Sequence, residues 1–481
     1  MISSKPIKNT CIYLGFFVFF LIVYYSVLAY SYAFTDSYFL IYNAFYNNIY
    51  NNVELVYAGG RPIYALLIYA FHLTPNLESL KLLRLVSIAG ISAIALFLTN
   101  FLGKKTSYSF PIRASIAAII GLVPAFQIYA VWAVCAFFPW AALLAVISFS
   151  ILDNEDKNTL KKLVFSFIVL CLSISIYQPA AMMFWVAAAI SWLVSDRHFP
   201  KIKRIAFAAI VMIASLATDF LLSKILPRII YGHPICSPRS TLVSNFEGKA
   251  IWFFSEVMRD ALNLISIRGR LDVAIFVALF ILLGMALSIP GRPAIKFGKI
   301  ILAFLLLIGA YFPNLILHES WASYRTQVAL TSLLVFYAAI ALSGWAELFR
   351  VRRLKRPLFI SAAICSGYVA GHNVLVGFAK PETLELKLIA SYLARHDGLA
   401  GAKQIYLVPS IWQDTLSPVI RYDEFGVPSS YVTWALQGMT WLLLKQQHSP
   451  AADKIESAII GPLADAPKGA TIVDFGKILR P

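Results

Sequence analysis

Long apolar runs recur along the chain, and the polar positions gather in the short stretches between them. About twenty apolar residues cross the roughly 30 Å hydrocarbon core of a bilayer as a helix. By that measure one crossing each is predicted for Cys11–Phe34, Leu80–Leu102, Ala114–Tyr129, Trp132–Leu152, Ile205–Leu222, Leu271–Ile289, Ile300–Leu317, Thr326–Trp345 and Leu358–Phe378. The run Leu163–Trp192 is too long for one crossing and is broken at Tyr177-Gln178-Pro179, where proline cannot donate a backbone hydrogen bond, so it predicts two crossings and a hairpin. The expected fold class is a polytopic α-helical membrane protein with about eleven transmembrane helices. Ile63–Leu73, after Gly60-Arg61-Pro62, is too short to span and predicts an interfacial helix.

The pattern changes at Lys380. Residues 1–379 read as the transmembrane domain, with loops at 35–79 and 223–270, whereas in 380–481 short apolar runs replace long ones. Glu382–Arg395 has helical spacing, Gln404–Val408 and Thr471–Phe475 read as buried strands, and Ser429-Ser430 predicts the cap of a helix through Lys445. Asp423-Glu424 reads as a turn that caps that helix. This part is expected to be a small α/β domain.

Composition agrees with that division. With 59% hydrophobic and 14% charged residues, the chain of 481 residues is not an ordinary soluble globule. A net charge of +17 would suit nucleic acid, but about half of the 41 bases fall in alternate connections such as Lys104-Lys105, Ser195–Arg204 and Arg350–Arg356. That is the positive-inside pattern of a multi-pass protein, so the implied partner is a lipid bilayer and no nucleic acid. It predicts a cytoplasmic N-terminus with a retained first helix, and it puts the two long loops and the C-terminal domain on the exported face. Cys11, Cys135, Cys171 and Cys365 lie in apolar segments and Cys236 in an exported loop, which makes no disulfide framework; no CxxC or Cys/His metal spacing occurs.

Chemistry is expected on the exported face. Asp36 follows the first apolar run, in a loop rich in aromatic and Asn residues, and its carboxylate can take a proton from a hydroxyl. Arg61 and Arg325 each sit beside a helix start, and guanidinium fits phosphate as a bidentate fork. Further candidates for lining the site are Glu54, Tyr177, Gln178, Asp219, Glu319 and Tyr324. Tyr177 and Gln178 also suit contacts between helices, and an acid at a helix end, as Asp219 is, needs a partner, for which a loop arginine is expected. His318-Glu319 leaves room for a divalent cation, although two ligands do not define a metal site.

Asp36, Gly60-Arg61-Pro62, Tyr177-Gln178, Arg325, the block RYDEFGVPSSYVTWALQGMTWLLL (421–444) and the TIVDFG that follows at 471–476 resemble the glucosyltransferase II type family of bacterial membrane proteins, which includes serotype-converting O-antigen glucosyltransferases. That family is similar in design to the GT-C superfamily. The resemblance implies an inverting glycosyltransferase of the bacterial inner membrane. Such an enzyme moves a hexose, glucose by the resemblance, from an undecaprenyl-phosphate donor to a hydroxyl of an O-antigen or other surface glycan on the periplasmic face. Asp36 would be the base and Arg325 or Arg61 would hold the donor phosphate. Where many GT-C enzymes carry a second acid, this chain has Ser37, and the next acid in the loop is Glu54. No soluble cofactor is implied. The competing readings are an O-antigen polymerase or ligase, and a transporter or flippase of lipid-linked sugars.

Overall fold

The computed structural model describes residues 4–46, 48–154, 158–194, 198–233 and 241–480. Glu155, Asp156, Lys157, Asp196, Arg197, Cys236 and Arg239 of the connecting loops lie outside the described residues. The chain starts with α1 (Ser4–Val23) and, after an irregular stretch, α2 (Asp36–Phe45), followed by short helices at Ile49–Ala58 and Pro62–Leu67. Then come α3 (Leu80–Lys105), a pair of helices at Phe110–Ile120 and Pro124–Val131 bent by 64°, α4 (Phe138–Leu152), α5 (Thr159–Ile176) and α6 (Met183–Leu193). The remaining bundle helices are α7 (Ile202–Tyr231), α8 (Leu271–Ser288), α9 (Pro293–Ile316), α10 (Val328–Leu348) and α11 (Lys355–Val374).

Among the described residues eight helices are long and apolar enough to cross a membrane, or nine if the bent pair is one span. The chain is therefore a multi-pass helical membrane protein. Burial orders the bundle from its centre outward. α10 is central, with 83% of its apolar window buried, whereas α8 is peripheral at 22% and turns Ile275, Phe276, Leu279 and Leu282 outward, as a lipid-facing helix does. The two pack closely because Gly284 lies on Ala341 and Gly344, with no space for a side chain on either glycine.

The first crossing ends earlier than its apolar pattern predicts. The helix stops at Val23, makes one more turn at Ser26–Ala29, and then runs extended towards Phe34 although these residues remain apolar and mostly buried. Arg84 is the reason. This residue is 1% exposed, and its guanidinium donates to Val27 O (2.9 Å), to Val131 O (3.1 Å) and to Tyr32 O, while lying 3.8 Å from the centre of the Tyr32 ring. One side chain thus satisfies two carbonyls, of Val27 and Tyr32, that a continuous first helix would have satisfied itself, and shares with the Tyr32 hydroxyl the Val131 carbonyl at the end of the helix Pro124–Val131. α7 departs the other way: instead of ending at Leu222 it continues through Pro227 to Tyr231, where Gly232 at φ 76° closes it.

α11 passes through a π-helical turn at Leu375–Ala379 into α12 (Lys380–Arg395). The rod Arg352–Arg395 has 44 residues. At 1.5 Å per residue it is about 66 Å long, roughly twice the hydrocarbon thickness, so α12 stands clear of the lipid. Beyond it β1 (Ile405–Val408) pairs in parallel with β2 (Ile459–Ile460) and β3 (Thr471–Asp474) in the order β2-β1-β3; β1 and β3 fall on the two strands expected from the sequence, and β2 is a third that was not expected. α13 (Thr433–Gln446) packs on α2, with Gly438 directly against the Tyr38 carbonyl. Ser429-Ser430 does not cap it. The helix starts after Val432 with no side-chain cap, and the two serines bond to α12 instead.

Replacing Arg84 with Met should leave the buried carbonyls of Val27 and Tyr32 without a donor, at about 1–3 kcal/mol each, whereas Val131 O keeps the Tyr32 hydroxyl. We expect the variant to lose most folded, monodisperse protein in detergent, with Arg84→Lys intermediate because an ammonium cannot span the same three acceptors. A melting temperature for Arg84→Met within a degree of the parent would overturn this role.

Candidate functional site

Asp36 is the first residue of α2. Its Oδ1 accepts a hydrogen bond from Trp434 Nε1 at 2.7 Å, so the first loop and the C-terminal part meet at the acid itself. Thr35, just before it, has φ 34°, a conformation that a β-branched residue adopts at a cost of about 1–3 kcal/mol. The Thr35 amide is held there by Ser429 Oγ at 3.0 Å. Ser429 Oγ in turn donates to Glu382 Oε2 at 2.6 Å, and the amides of Ser429 and Ser430 donate to the two oxygens of Glu385, each at 2.9 Å. A chain of hydrogen bonds therefore runs from α12 to the residue that aims Asp36.

Arg61 follows Gly60 and lies with its guanidinium carbon 4.7 Å from the centre of the Tyr177 ring. That ring stacks on Phe138 with centroids 3.9 Å apart. The Arg61 side chain forms no hydrogen bond or ion pair among the described residues, and its Nε is buried without an acceptor. Gln178 Nε2 donates to Gly60 O at 2.5 Å and to Asp219 Oδ2 at 3.2 Å, and Ser175 Oγ donates to Asp219 Oδ1 at 2.8 Å. Asp219 was expected to pair with a loop arginine. It is instead held by these two neutral donors and feels Arg61 only as a nearby charge. Asp219, Gln178 and Gly60 together set the turn that presents Arg61.

Arg325 lies beside Asp423 and Glu424. Its Nη2 is 2.5 Å from Asp423 Oδ2, and its buried Nη1 is 3.5 Å from Glu424 Oε1 without being hydrogen-bonded. Glu424 accepts the amides of Tyr324 at 2.8 Å and Arg325 at 3.0 Å, and Trp321 Nε1 donates to Asp423 Oδ1 at 3.0 Å. The pair Asp423-Glu424 is therefore an anchor for Arg325 and not a helix cap. The guanidinium also faces Trp132 at 5.1 Å. Burial pushes the Glu424 carboxyl up to about 8, against the pull of Arg325. Burial also opposes ionisation of Asp423, but the charge and hydrogen bond of Arg325 outweigh it and leave that carboxyl below its ordinary value.

These groups converge. Cys135 lies within electrostatic reach of Arg325, Glu424, Arg61 and Asp36 together, and Tyr129, whose hydroxyl donates to Arg325 O at 2.7 Å, feels Tyr177, Cys135, Glu424 and Arg325. Arg325 faces Trp132, whose ring lies 5.0 Å from that of Phe34, two residues before Asp36, and Arg61 lies over Tyr177, whose ring is 6.1 Å from that of Tyr129, so the acid and the two guanidiniums are linked through neighbouring rings at one end of the helices. The other candidates have different places. Glu54 is partly exposed on the helix Ile49–Ala58 and forms no hydrogen bond or ion pair among the described residues. Tyr324 is buried, and its hydroxyl donates to Ile267 O at 3.1 Å. The Glu319 carbonyl accepts from Lys249 Nζ at 2.6 Å, and the His318 amide donates to Thr241 O at 2.9 Å. Among the described residues no group of three or more His, Cys, Asp and Glu is placed to hold a metal.

Sequence reasoning missed Trp434, Glu382 and Glu385. The two glutamates had a signal: Glu382 falls on the same helical stripe as Leu386, Ile389 and Leu393, and an acid on an apolar stripe is a buried acid with a partner.

Glu424 generates a pH prediction. Its native carboxyl holds a proton up to about 8, whereas the unfolded one releases it near 4.5, so its contribution is complete below 4.5 and is lost as the pH rises towards 8. Melting temperatures of the parent should fall relative to Glu424→Gln across that window; parallel curves would refute the shift. Comparison with family models and with curated protein sequences finds no match for this chain.

Proposed function

We propose that this chain is an inverting glycosyltransferase with a GT-C-like membrane domain of eleven spans, set in a bacterial inner membrane with its N-terminus cytoplasmic and residues 380–481 periplasmic. Its donor is a hexose, glucose by resemblance, on undecaprenyl phosphate, and its acceptor is a hydroxyl of an O-antigen or other surface glycan. The observation that carries this reading is that Arg325, Arg61 and the segment leading to Asp36 meet one cluster of rings: Arg325 faces Trp132, which lies 5.0 Å from Phe34, and Arg61 lies over Tyr177, which lies 6.1 Å from Tyr129. Transfer from a lipid phosphate needs one base for the attacking hydroxyl and cations for the phosphate that leaves.

In the reaction the acceptor oxygen attacks the anomeric carbon from the face opposite the phosphate. The carbon–oxygen bond to phosphate breaks, polyprenyl phosphate leaves with the electron pair, and the hydroxyl proton passes to Asp36. The Trp434 indole holds one carboxylate oxygen and so orients the base. Arg61 is the better phosphate ligand of the two arginines. Its guanidinium has no acidic partner among the described residues, whereas Arg325 is already paired with Asp423 and serves to position the site.

The acceptor side is aromatic. Pro409, Ser410, Tyr431, Val432, Thr433 and Trp434 line a groove of about 420 Å³, with the Trp434 and Tyr431 rings exposed. The row continues from Tyr431 to Trp412 at 5.5 Å between centroids and on to Trp321 at 6.3 Å. Exposed rings beside a base suit the apolar faces of sugar rings, as aromatic surfaces suit other ligands with one apolar face.

Purified protein given undecaprenyl-phosphate hexose and an O-antigen acceptor should transfer the sugar. Asp36→Asn should lower the rate roughly a hundredfold to ten-thousandfold with unchanged folding. Near-parental transfer by that variant, or use of a diphosphate-linked oligosaccharide instead of the single-sugar donor, would replace this reading with that of a ligase or polymerase. Arg61→Lys keeps the charge and loses the fork, and should raise the apparent KM for donor more than Arg325→Lys does.

A further inference from the structure

A second cavity lies at the opposite end of the helices from Asp36. It has a volume of about 220 Å³ and is lined by Phe149, Leu152, Asp153, Thr159, Lys162, Leu163, Trp192, Lys201, Lys203, Arg204 and Phe207. α5 separates it from Tyr177, so it is about 27 Å from the candidate active site at 1.5 Å per residue. Nothing in the proposed transfer uses it.

Its chemistry is that of an anion site built from several independent parts. Among the described residues four cations line it against one carboxylate; Lys162 Nζ also donates to Asn154 O at 2.6 Å, and the carboxylate, Asp153, is already held by Lys105 Nζ at 2.5 Å and Ser191 Oγ at 2.7 Å. The N-termini of two long helices open onto it. Thr159 and Lys162 lie in the first turn of α5, and Lys201, Lys203 and Arg204 form the cap and first turn of α7. Helix N-termini present free amides and a partial positive charge. On α5 Asn158 caps the amide of Leu160, whereas the cap of α7 is Lys201, an ammonium that cannot accept a hydrogen bond. The Arg204 amide donates to the Lys201 carbonyl at 2.8 Å, whereas the amides of Ile202 and Lys203 have no acceptor among the described residues, in a place surrounded by cations. The indole nitrogen of the buried Trp192 also has no acceptor among the described residues.

The apolar surroundings identify the kind of anion. Leu160, Val164 and Ile202 next to the basic mouth are 69%, 46% and 79% exposed, and farther along the outer face of α7 so are Ile210 and Ile213. A soluble phosphate would gain nothing from this surface, whereas a phospholipid would lay its acyl chains along it while the headgroup entered the cavity. We propose that this cavity is a specific site for the phosphate headgroup of an anionic phospholipid. It is lined from α4 through α7, and an occupant would join the ends of α5 and α7 on that face. The proposal does not depend on the transferase reading.

Native mass spectrometry of the full-length protein in detergent, titrated with phosphatidylglycerol or phosphatidylcholine, tests it. One phosphatidylglycerol should bind in preference to phosphatidylcholine. The variant K201Q/K203Q should bind it about thirtyfold more weakly, equivalent to about 2 kcal/mol for two basic groups, and Lys203→Gln alone about fivefold more weakly. The control is R352Q/R353Q, which removes bases from the same face outside this cavity and should bind within about twofold of the parent. Equal weakening in the control would show only general attraction to a basic face and would overturn the site. Displacement of the lipid by millimolar inorganic phosphate would overturn the lipid assignment in favour of a soluble anion. If the double variant does not fold, the single variant compared with the control decides the outcome.

Discussion

A bilayer offers no hydrogen bonds, so every backbone group that leaves a helix inside the bundle must find its partner in the protein. Here buried side chains are that partner at several irregular segments, in the bundle and in the C-terminal part alike. Arg84 takes the carbonyls of Val27, Tyr32 and Val131, Glu424 takes the amides of Tyr324 and Arg325, and Glu385 takes those of Ser429 and Ser430. Each of these irregular segments carries or supports a candidate site residue. The site is possible because helix is given up there and replaced by fixed side-chain contacts.

Those contacts also tie the C-terminal part to the bundle. The π turn at Leu375–Ala379 leaves the Val376 and Gly377 carbonyls available, and they accept Ser417 Oγ at 2.8 Å and the Gly426 amide at 2.7 Å. Asp423 and Glu424 reach Arg325, Trp434 reaches Asp36, and Ser429 reaches Thr35. A positive φ at Thr35 and another at Tyr422 stand directly before the two acids that face this centre, and such strain persists only when the surroundings determine it. The geometry of the site is thus shared between the two parts of the chain.

The two ends of the bundle differ in how they treat charge. At the candidate site the acids and bases are buried or half-buried, and all but Arg61 and Glu54 have specific partners. At the other end the bases of α5 and α7 are mostly exposed and crowd around a cavity with, among the described residues, one carboxylate that already has its own lysine. Buried pairs fix geometry at the cost of desolvation, and exposed bases attract anionic surfaces from a distance. One end is built for orientation and the other for attraction.

The amino-acid sequence by itself determined that the chain is a multi-pass helical membrane protein whose last hundred or so residues have another character, because apolar length and strand pattern are local properties. It also brought out Asp36, Arg61, Gln178 and Asp219, since polar residues at the ends of apolar helices are costly wherever they fall. It did not reveal that Val23 ends the first helix, that α7 runs on to Tyr231, or that Ser429 and Ser430 bond to α12 instead of capping α13. Nor did it reveal that Asp423 and Glu424 hold Arg325, 98 and 99 residues earlier in the chain. Each of these depends on a side chain reaching a backbone group or charge far away in sequence, and nothing local to either partner encodes that meeting. Tertiary structure decided which guanidinium is taken and which stays unpaired, because pairing is settled by distance in space.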